Sequence, residues 1–427
     1  MKMRISSFCF IVLAQMAIVQ AAFADSYLIK NAQVVTMSSR GILRGASVLV
    51  RDGFVERVGF EIDVDDSVTV IDARGGYLTP GLFDSGTQLG LAEVNNFIKS
   101  TDNRVKGMDL GAGFTVALAL NRYSSFVPMV RQEGITRAMV IPVTGSEVIA
   151  GQSAIIQLGE SGPFITNGKN AVHVYLREVD KELVGGSRAS ALYHLMNSLS
   201  EAQRYLQNIR AYQSGKTRDF QLSEADLKAL QQVLTRNLPL VIHVDRAADI
   251  ETIIRSLSEF ELRIVLAGAR EAWKVKDLIR DENIPVLINV IDNIPSRFDR
   301  LGARLDNAAL LTEAGVKVAF MTQDLYTNTR SLTQAAGIAV AYGLPWEESM
   351  KAITTNPASI WGIEHYGSLE PGSLADLVIW DGDPLEVMSA PTRMMIDGAW
   401  VSLKSRQDLL RDRYSNLGEK EIPFGYR

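Results

Sequence analysis

Side chains able to do chemistry are scarce in this chain. It carries four histidines, His173, His194, His243 and His365. His243 stands near the end of an apolar run, Leu240–Val244, with the polar pair Asp245-Arg246 directly after it. The stretch Leu78-Thr79-Pro80-Gly81-Leu82-Phe83-Asp84-Ser85-Gly86-Thr87-Gln88-Leu89-Gly90 places Asp84, Ser85 and Gln88 where an apolar strand turns polar. A later apolar run ends in Met321-Thr322-Gln323-Asp324. A hydrolytic metal needs several imidazoles and carboxylates to converge, with one position left for water. Carboxylates alone, Asp84, Glu93 or Asp324, could do general acid–base work. A serine–histidine pair that includes Ser85 is a further possibility. No G-x-S-x-G elbow and no P-loop is present. The candidate catalytic residues are therefore Asp324, His243 and Asp84, and the candidate ligand contacts are Ser85, Gln88, Asp245, Arg246 and Gln323. Each has a structural reading beside the chemical one. His243 can be a buried, hydrogen-bonded histidine, Asp84 a carboxylate that binds turn amides, Asp324 a cap, and Asp245-Arg246 a local ion pair or cap.

Elements that alternate along the chain must position these residues. Residues 26–77 read as antiparallel strands, with Ser47–Arg51 and Phe54–Val58 flanking the hairpin signal Asp52-Gly53 and a further strand at Val68–Asp72. From Gly81 the pattern changes. Apolar runs at Leu82–Ser85, Thr115–Leu120, Arg137–Pro142, Val172–Leu176, Leu240–Val244, Arg263–Ala267, Pro285–Val290 and Lys317–Met321 predict eight strands. Helical patterns lie between many of them, at Ala189–Ser214, Ser223–Thr235, Ala248–Glu259, Glu271–Asp281, Asp306–Ala314 and Leu332–Tyr342. Strands alternating with helices argue a parallel sheet, and eight of them argue a (β/α)8 barrel. Residues 143–170 read as an insertion, strand-like at Ala154–Leu158. A helix with a stop and restart follows over Trp346–Gly362. Strands then resume at Leu377–Trp380, Arg393–Ile396 and Ala399–Ser402, the last two joined by Asp397-Gly398.

Composition narrows the class. A chain of 427 residues that is 47% hydrophobic can bury one or two large cores. A net charge of −5 gives no electrostatic reason to expect nucleic acid as a partner. Residues 1–24 read as a signal peptide: Lys2 and Arg4, an apolar core Ile5–Val19, and Ala22-Phe23-Ala24 as the cleavage site. The expected location is the periplasm, after cleavage near Ala24. No later apolar run is long enough to span a membrane. The only cysteine, Cys9, lies inside this segment, so the mature chain has no thiol for a disulfide, a nucleophile or a metal site.

The apolar Pro80-Gly81-Leu82-Phe83-Asp84 run resembles the metal-binding signature of the amidohydrolase superfamily. The stretch Ile353–Ala358 through Gly362, then Gly367-Ser368-Leu369-Glu370-Pro371-Gly372-Ser373-Leu374-Ala375-Asp376-Leu377-Val378-Ile379-Trp380-Asp381-Gly382-Asp383-Pro384, resembles that superfamily's closing signature. Gly134-Ile135-Thr136, Pro142, Gly151-Gln152-Ser153-Ala154 and His243–Ile250 are similar to its imidazolonepropionase-like branch. The resemblance implies a distorted TIM (β/α)8 barrel over residues 80–362. It also implies a small composite β-sandwich domain formed by both chain ends, 25–79 and 363–404, with 405–427 as a peripheral tail. The activity it implies is metal-dependent hydrolysis of C–N bonds in cyclic amides, imines or dipeptides.

The metal ligands implied by the resemblance are mostly missing. The family supplies an H-x-H pair after strand one, a bridging carboxylate after strand four, one histidine each after strands five and six, and an aspartate after strand eight. Here the H-x-H places hold Gly86 and Gln88, neither a good zinc ligand. Strand four offers no lysine, with Glu178 the stand-in considered, and strand six runs into Gly268. Only strand five supplies its histidine, His243. His173 falls at the start of the fourth strand, away from the catalytic end. Strand eight offers Gln323, or Asp324 after a shift of one residue. The expectation is a non-catalytic homologue that binds a small molecule in the barrel mouth or a protein partner, a second copy or an active relative. No cofactor is expected, and zinc only if this ligand count is wrong. The alternative is an active hydrolase on small cyclic amides or dipeptides.

Overall fold

Among the described residues, eighteen strands form three sheets, and the segment order explains which residues meet. The computed structural model describes residues 26–93, 100–108, 110–215, 220–323 and 329–415. The expected signal peptide, Asp324 and the end of the tail lie outside the described residues. The strands are β1 Tyr27–Val35, β2 Ile42–Arg51, β3 Phe54–Gly59, β4 Thr69–Asp72, β5 Tyr77–Pro80, β6 Leu82–Thr87, β7 Ile135–Val140, β8 Ile149–Gln152 and β9 Ala154–Gln157. They continue with β10 Ile165–Asn167, β11 Val172–Tyr175, β12 Leu240–Val244, β13 Ile264–Gly268, β14 Val286–Ile288, β15 Val318–Phe320, β16 Leu377–Trp380, β17 Pro391–Ile396 and β18 Ala399–Val401.

The first sheet has eight strands, ordered β18-β17-β16-β5-β1-β2-β3, with β4 also paired to β1. It joins the beginning and end of the described chain, because β16 runs antiparallel to β5 from Leu377 opposite Pro80 to Trp380 opposite Tyr77. Asp52-Gly53 turns β2 into β3, and Asp397-Gly398 turns β17 into β18. All four residues adopt positive φ, as two-residue hairpin turns require.

The other sheets are ordered β10-β9-β7-β6 and β15-β14-β13-β12-β11-β8. Strands β11 to β15 are mutually parallel, as are β6 and β7. Both faces of these strands are buried, which is why they read as continuous apolar runs. On β12, Leu240, Ile242 and Val244 pack with the helix residues Leu230, Ile250 and Ile254. Full burial of each such side chain contributes about 1.5–3 kcal/mol. The alternate residues face away from the helices. Phe83 and Met139 from one sheet share an apolar cluster with Val241, Val265, Leu287 and Ala319 from the other.

Helices fall close to their expected places. Arg188–Gln213 begins at Ser187, whose hydroxyl accepts from the Ser190 amide. Glu224–Leu234 begins at Ser223, which caps the Asp226 amide. The stretch Trp346–Gly362 is two helices, Trp346–Lys351 and Thr355–Trp361. One expected strand is absent: Val116–Ala119 is a 3-10 helix. Thr115 caps it by accepting from the Ala117 amide, and Leu118 is 91% exposed, so the apolar run has no sheet face to bury. In that region β8 pairs antiparallel with β11 instead.

A buried ion pair ties the terminal sheet to β7. Arg137 Nε donates to Asp376 Oδ2 at 2.8 Å, both side chains are buried, and the guanidinium also reaches Asp397 and lies 5.2 Å from the centre of the Tyr366 ring. Removing Asp376 leaves the buried guanidinium with only the part-exposed Asp397 as counter-charge. Asp376→Ala should therefore lower unfolding free energy in urea by about 3–5 kcal/mol. A loss under about 1 kcal/mol, the value of an exposed pair, would show that the pair is dispensable.

Candidate functional site

The C-terminal ends of the parallel strands gather most of the candidate residues, and His243 is at their centre. It lies on the helix-free face of β12 and is buried. Its register partner on β11 is Tyr175, and His173 is the diagonal neighbour one strand period away. The Tyr175 ring stacks on the imidazole at 3.8 Å between centroids and 5° between planes. His243 Nε2 lies 3.0 Å from His173 Nδ1, and Gln323 Nε2 donates to His243 Nδ1 at 3.0 Å. Both ring nitrogens are thus engaged.

This corrects the placement of His173. It is not remote from the site but directly bonded to its central residue, because the stagger between β11 and β12 brings the two rings together. Its Nε2 is buried and makes no hydrogen bond among the described residues. Burial holds the His173 imidazolium down to about 3. Burial likewise holds His243 well below the usual histidine range, helped by His173 and by the charges of Arg177 and Arg270. Tyr175 was not singled out in the sequence. Its position one strand period after His173 was the available signal.

Asp84 is not part of this cluster. It is fully buried and accepts from the backbone N–H of Gly86 at 2.9 Å and of Thr322 at 3.1 Å, and from the Thr322 hydroxyl. Thr322 and Thr87 both meet the Thr329 hydroxyl. Asp84 therefore binds the end of β15 to the end of β6. Burial raises its pKa to about 6 against the pull of these hydrogen bonds. Ser85 is buried beside it, and its hydroxyl has no hydrogen-bond partner among the described residues.

The remaining candidates scatter around the rim. Gln88 is buried, and its Oε1 accepts from Asn103 Nδ2 at 2.5 Å. Gln323 takes a left-handed backbone, φ 58°, and its N–H donates to Gly86 O at 2.6 Å. Asp245 and Arg246 do not pair with each other. Asp245 is clasped by Arg270 at 2.6 Å and by Arg297 at 3.1 Å, while Arg246 pairs with Asp249. Glu178 points elsewhere and pairs with Arg188 at 3.5 Å. His194, in the helix Arg188–Gln213, pairs with Glu147 at 3.3 Å. Glu93 is exposed and accepts from Asn121.

These residues do not fit a hydrolytic metal. Among the described residues, no group of three or more His, Cys, Asp or Glu side chains converges. The one strand-five imidazole has no free nitrogen. At the first H-x-H position, a Cβ on Gly86 would lie 3.1 Å from Met321 Cβ and 3.6 Å from Ile141 Cδ1, so apolar side chains already fill the space a ligand there would need. No step through a metal is derived from this arrangement.

Residues 162–406 match the model of the amidohydrolase family, and the chain belongs to that family. It is 20% identical over 388 residues to amidohydrolase tasK of Hapsidospora irregularis, covering 82% of this chain and 39% of that protein. A shorter segment of 78 residues is 45% identical to the imidazolonepropionase of Anaeromyxobacter dehalogenans, covering 16% of this chain and 18% of that protein. The chain thus aligns with well under half the length of these two curated relatives. The crystal structure of an amidohydrolase from Thermotoga maritima superposes with a TM-score of 0.81 at 26% identity, covering 88% of this chain and 99% of that one.

Titration of the buried groups has a signed consequence. Asp84 has a folded pKa above the ordinary carboxylate value of 3.8, so it takes up its proton more readily when folded. The stability it confers is fully present below pH 3.8 and is lost as pH rises through about 6. His173 and His243 are depressed, so their contribution is present above the ordinary histidine value and is lost as pH falls. The two effects oppose each other between pH 4 and 6. Asp84→Asn removes one of them, so chemical denaturation of that variant should show stability climbing more steeply with pH over this window. The difference in slope is at most about 1.4 kcal/mol per pH unit. Parallel curves for the two proteins would place the Asp84 proton elsewhere.

Proposed function

We propose that this chain is an exported, non-hydrolytic member of the amidohydrolase family whose strand ends form a mouth that binds a small molecule. The observation that carries this reading is the sealed His243. Its two nitrogens are bonded to His173 and Gln323, and its face is covered by Tyr175. A metal could bind there only after those partners were broken, and the partners are buried groups that would be costly to strand. The donor set beside it is amides and guanidinium groups, which orient a ligand but do not activate water as a metal does.

The fold we propose around this mouth is a distorted (β/α)8 barrel over residues 80–362. Two facts support closure: the Gln323 N–H bonds to Gly86 O between the ends of β15 and β6, and one apolar cluster joins the inner faces of both sheets. The terminal strands, within 25–79 and 363–404, would form the composite β domain. Residues 1–24 would direct export.

The alternative is hydrolysis of C–N bonds in small cyclic amides or dipeptides, the activity that the family resemblance implies. It is tested by assaying dipeptides and cyclic amides with added zinc and again with chelator. The expected result is no chelator-sensitive turnover above that of His243→Ala. Chelator-sensitive turnover that His243→Ala abolishes would overturn the proposal.

A further inference from the structure

At the rim of the proposed mouth, Arg104 is positioned by hydrogen bonds and has no carboxylate partner among the described residues. Arg104 Nε donates to Asn103 Oδ1 at 3.0 Å, and Asn103 Nδ2 in turn donates to Gln88 Oε1 at 2.5 Å. Asn103 and Gln88 are buried, and Arg104 is exposed. A chain of directional bonds therefore runs from the second H-x-H position out to an arginine. The loop that carries Arg104 is fixed at several points. Asn103 O accepts from Val143 N at 2.9 Å, and Val105 O accepts from Ser146 N at 3.1 Å. Any Cβ at Gly145 would strike Val105 O, so the two backbones can approach only with glycine there.

Among the described residues, the guanidinium groups of Arg177, Arg270 and Arg297 are each held by carboxylates. Arg177 lies over the Tyr175 ring but is held by Asp180 at 2.7 Å. Arg270 is held by Asp245 and Asp292, and Arg297 by Asp245 and Asp299. Among the described residues no carboxylate pairs with Arg104. The loop that carries Arg104 runs beside the stacked rings: the Tyr175 hydroxyl donates to Pro142 O at 2.7 Å, and the next residue, Val143, bonds through its N–H to Asn103 O.

We infer that Arg104, aimed by Asn103 and Gln88, binds the carboxylate of the small molecule taken into the mouth. With Nε occupied, the guanidinium still presents its two terminal nitrogens side by side, the geometry that grips a carboxylate at two points. Gln88, at the second H-x-H position, starts the chain that positions the arginine. The inference rests on the proposal that the mouth binds a small molecule.

The test uses N-acetylglycylglycine and its C-terminal amide as probes, titrated into the protein and followed by calorimetry or ligand-observed NMR. The carboxylate should bind about tenfold or more tightly than the amide. Arg104→Gln should erase that preference. Arg104→Lys, which keeps the charge but not the planar fork, should keep only part of it. Arg40→Gln, a surface arginine on the terminal sheet, should bind like the wild type. A preference that survives Arg104→Gln, equal binding of the two probes, or no binding of the carboxylate up to about 10 mM would each overturn the assignment. Discovery of chelator-sensitive hydrolysis would sink the non-hydrolytic reading and leave this binding result unchanged, so the two failures are separable.

Discussion

The hydrogen-bond chain Gln323–His243–His173 is the constraint on which the rest of the mouth depends. An amide nitrogen only donates, so with Gln323 Nε2 facing it, His243 Nδ1 must accept. The proton of a neutral His243 then sits on Nε2 and is donated to His173 Nδ1. This order fixes both rings as neutral and leaves no lone pair on His243 for a metal. Burial enforces the same outcome, since charging either ring in a dry site is costly. The Tyr175 ring covers one face of the buried His243, and Arg177 lies over the Tyr175 ring. The chain therefore turns a position suited to metal binding into a structural one.

Around this chain, the strand ends are joined by polar groups rather than by a shared ion. Asp84 ties β6 to β15 through Thr322, while Arg270 bridges Asp245 after β12 to Asp292 after β14. In a metal-centred member of the family the ion itself would cross-link such strand ends. Here carboxylates, hydroxyls and guanidinium groups take over that linking work, and among the described residues no carboxylate pairs with Arg104. Family membership thus describes the scaffold, and the side chains at the strand ends decide the chemistry.

Much of the fold was legible because parallel strands buried on both faces leave apolar runs, as at Leu240–Val244. Hairpins were legible because Asp52-Gly53 and Asp397-Gly398 must adopt positive φ. The run Thr115–Leu120 misled because its composition is apolar while Leu118 points to solvent, a difference that composition does not encode. At the site, the vacated H-x-H positions were visible in the sequence, and so was His243. The partners of His243 were not. His173 and Tyr175 reach it through the stagger between β11 and β12, a three-dimensional quantity. The same limit hid Arg270 as the partner of Asp245, which adjacency had assigned to Arg246, and hid Asn103 as the link from Gln88 to Arg104.

The central claim is that the mouth is built around a sealed imidazole and not a metal. Metal content by elemental analysis addresses it most directly, on protein purified from its native compartment without chelator and again after incubation with excess zinc. The account predicts no stoichiometric zinc or similar ion in either sample. Near-stoichiometric metal that is lost in His243→Ala would contradict it, because His243 could then ligate only with its bonds to His173 and Gln323 broken.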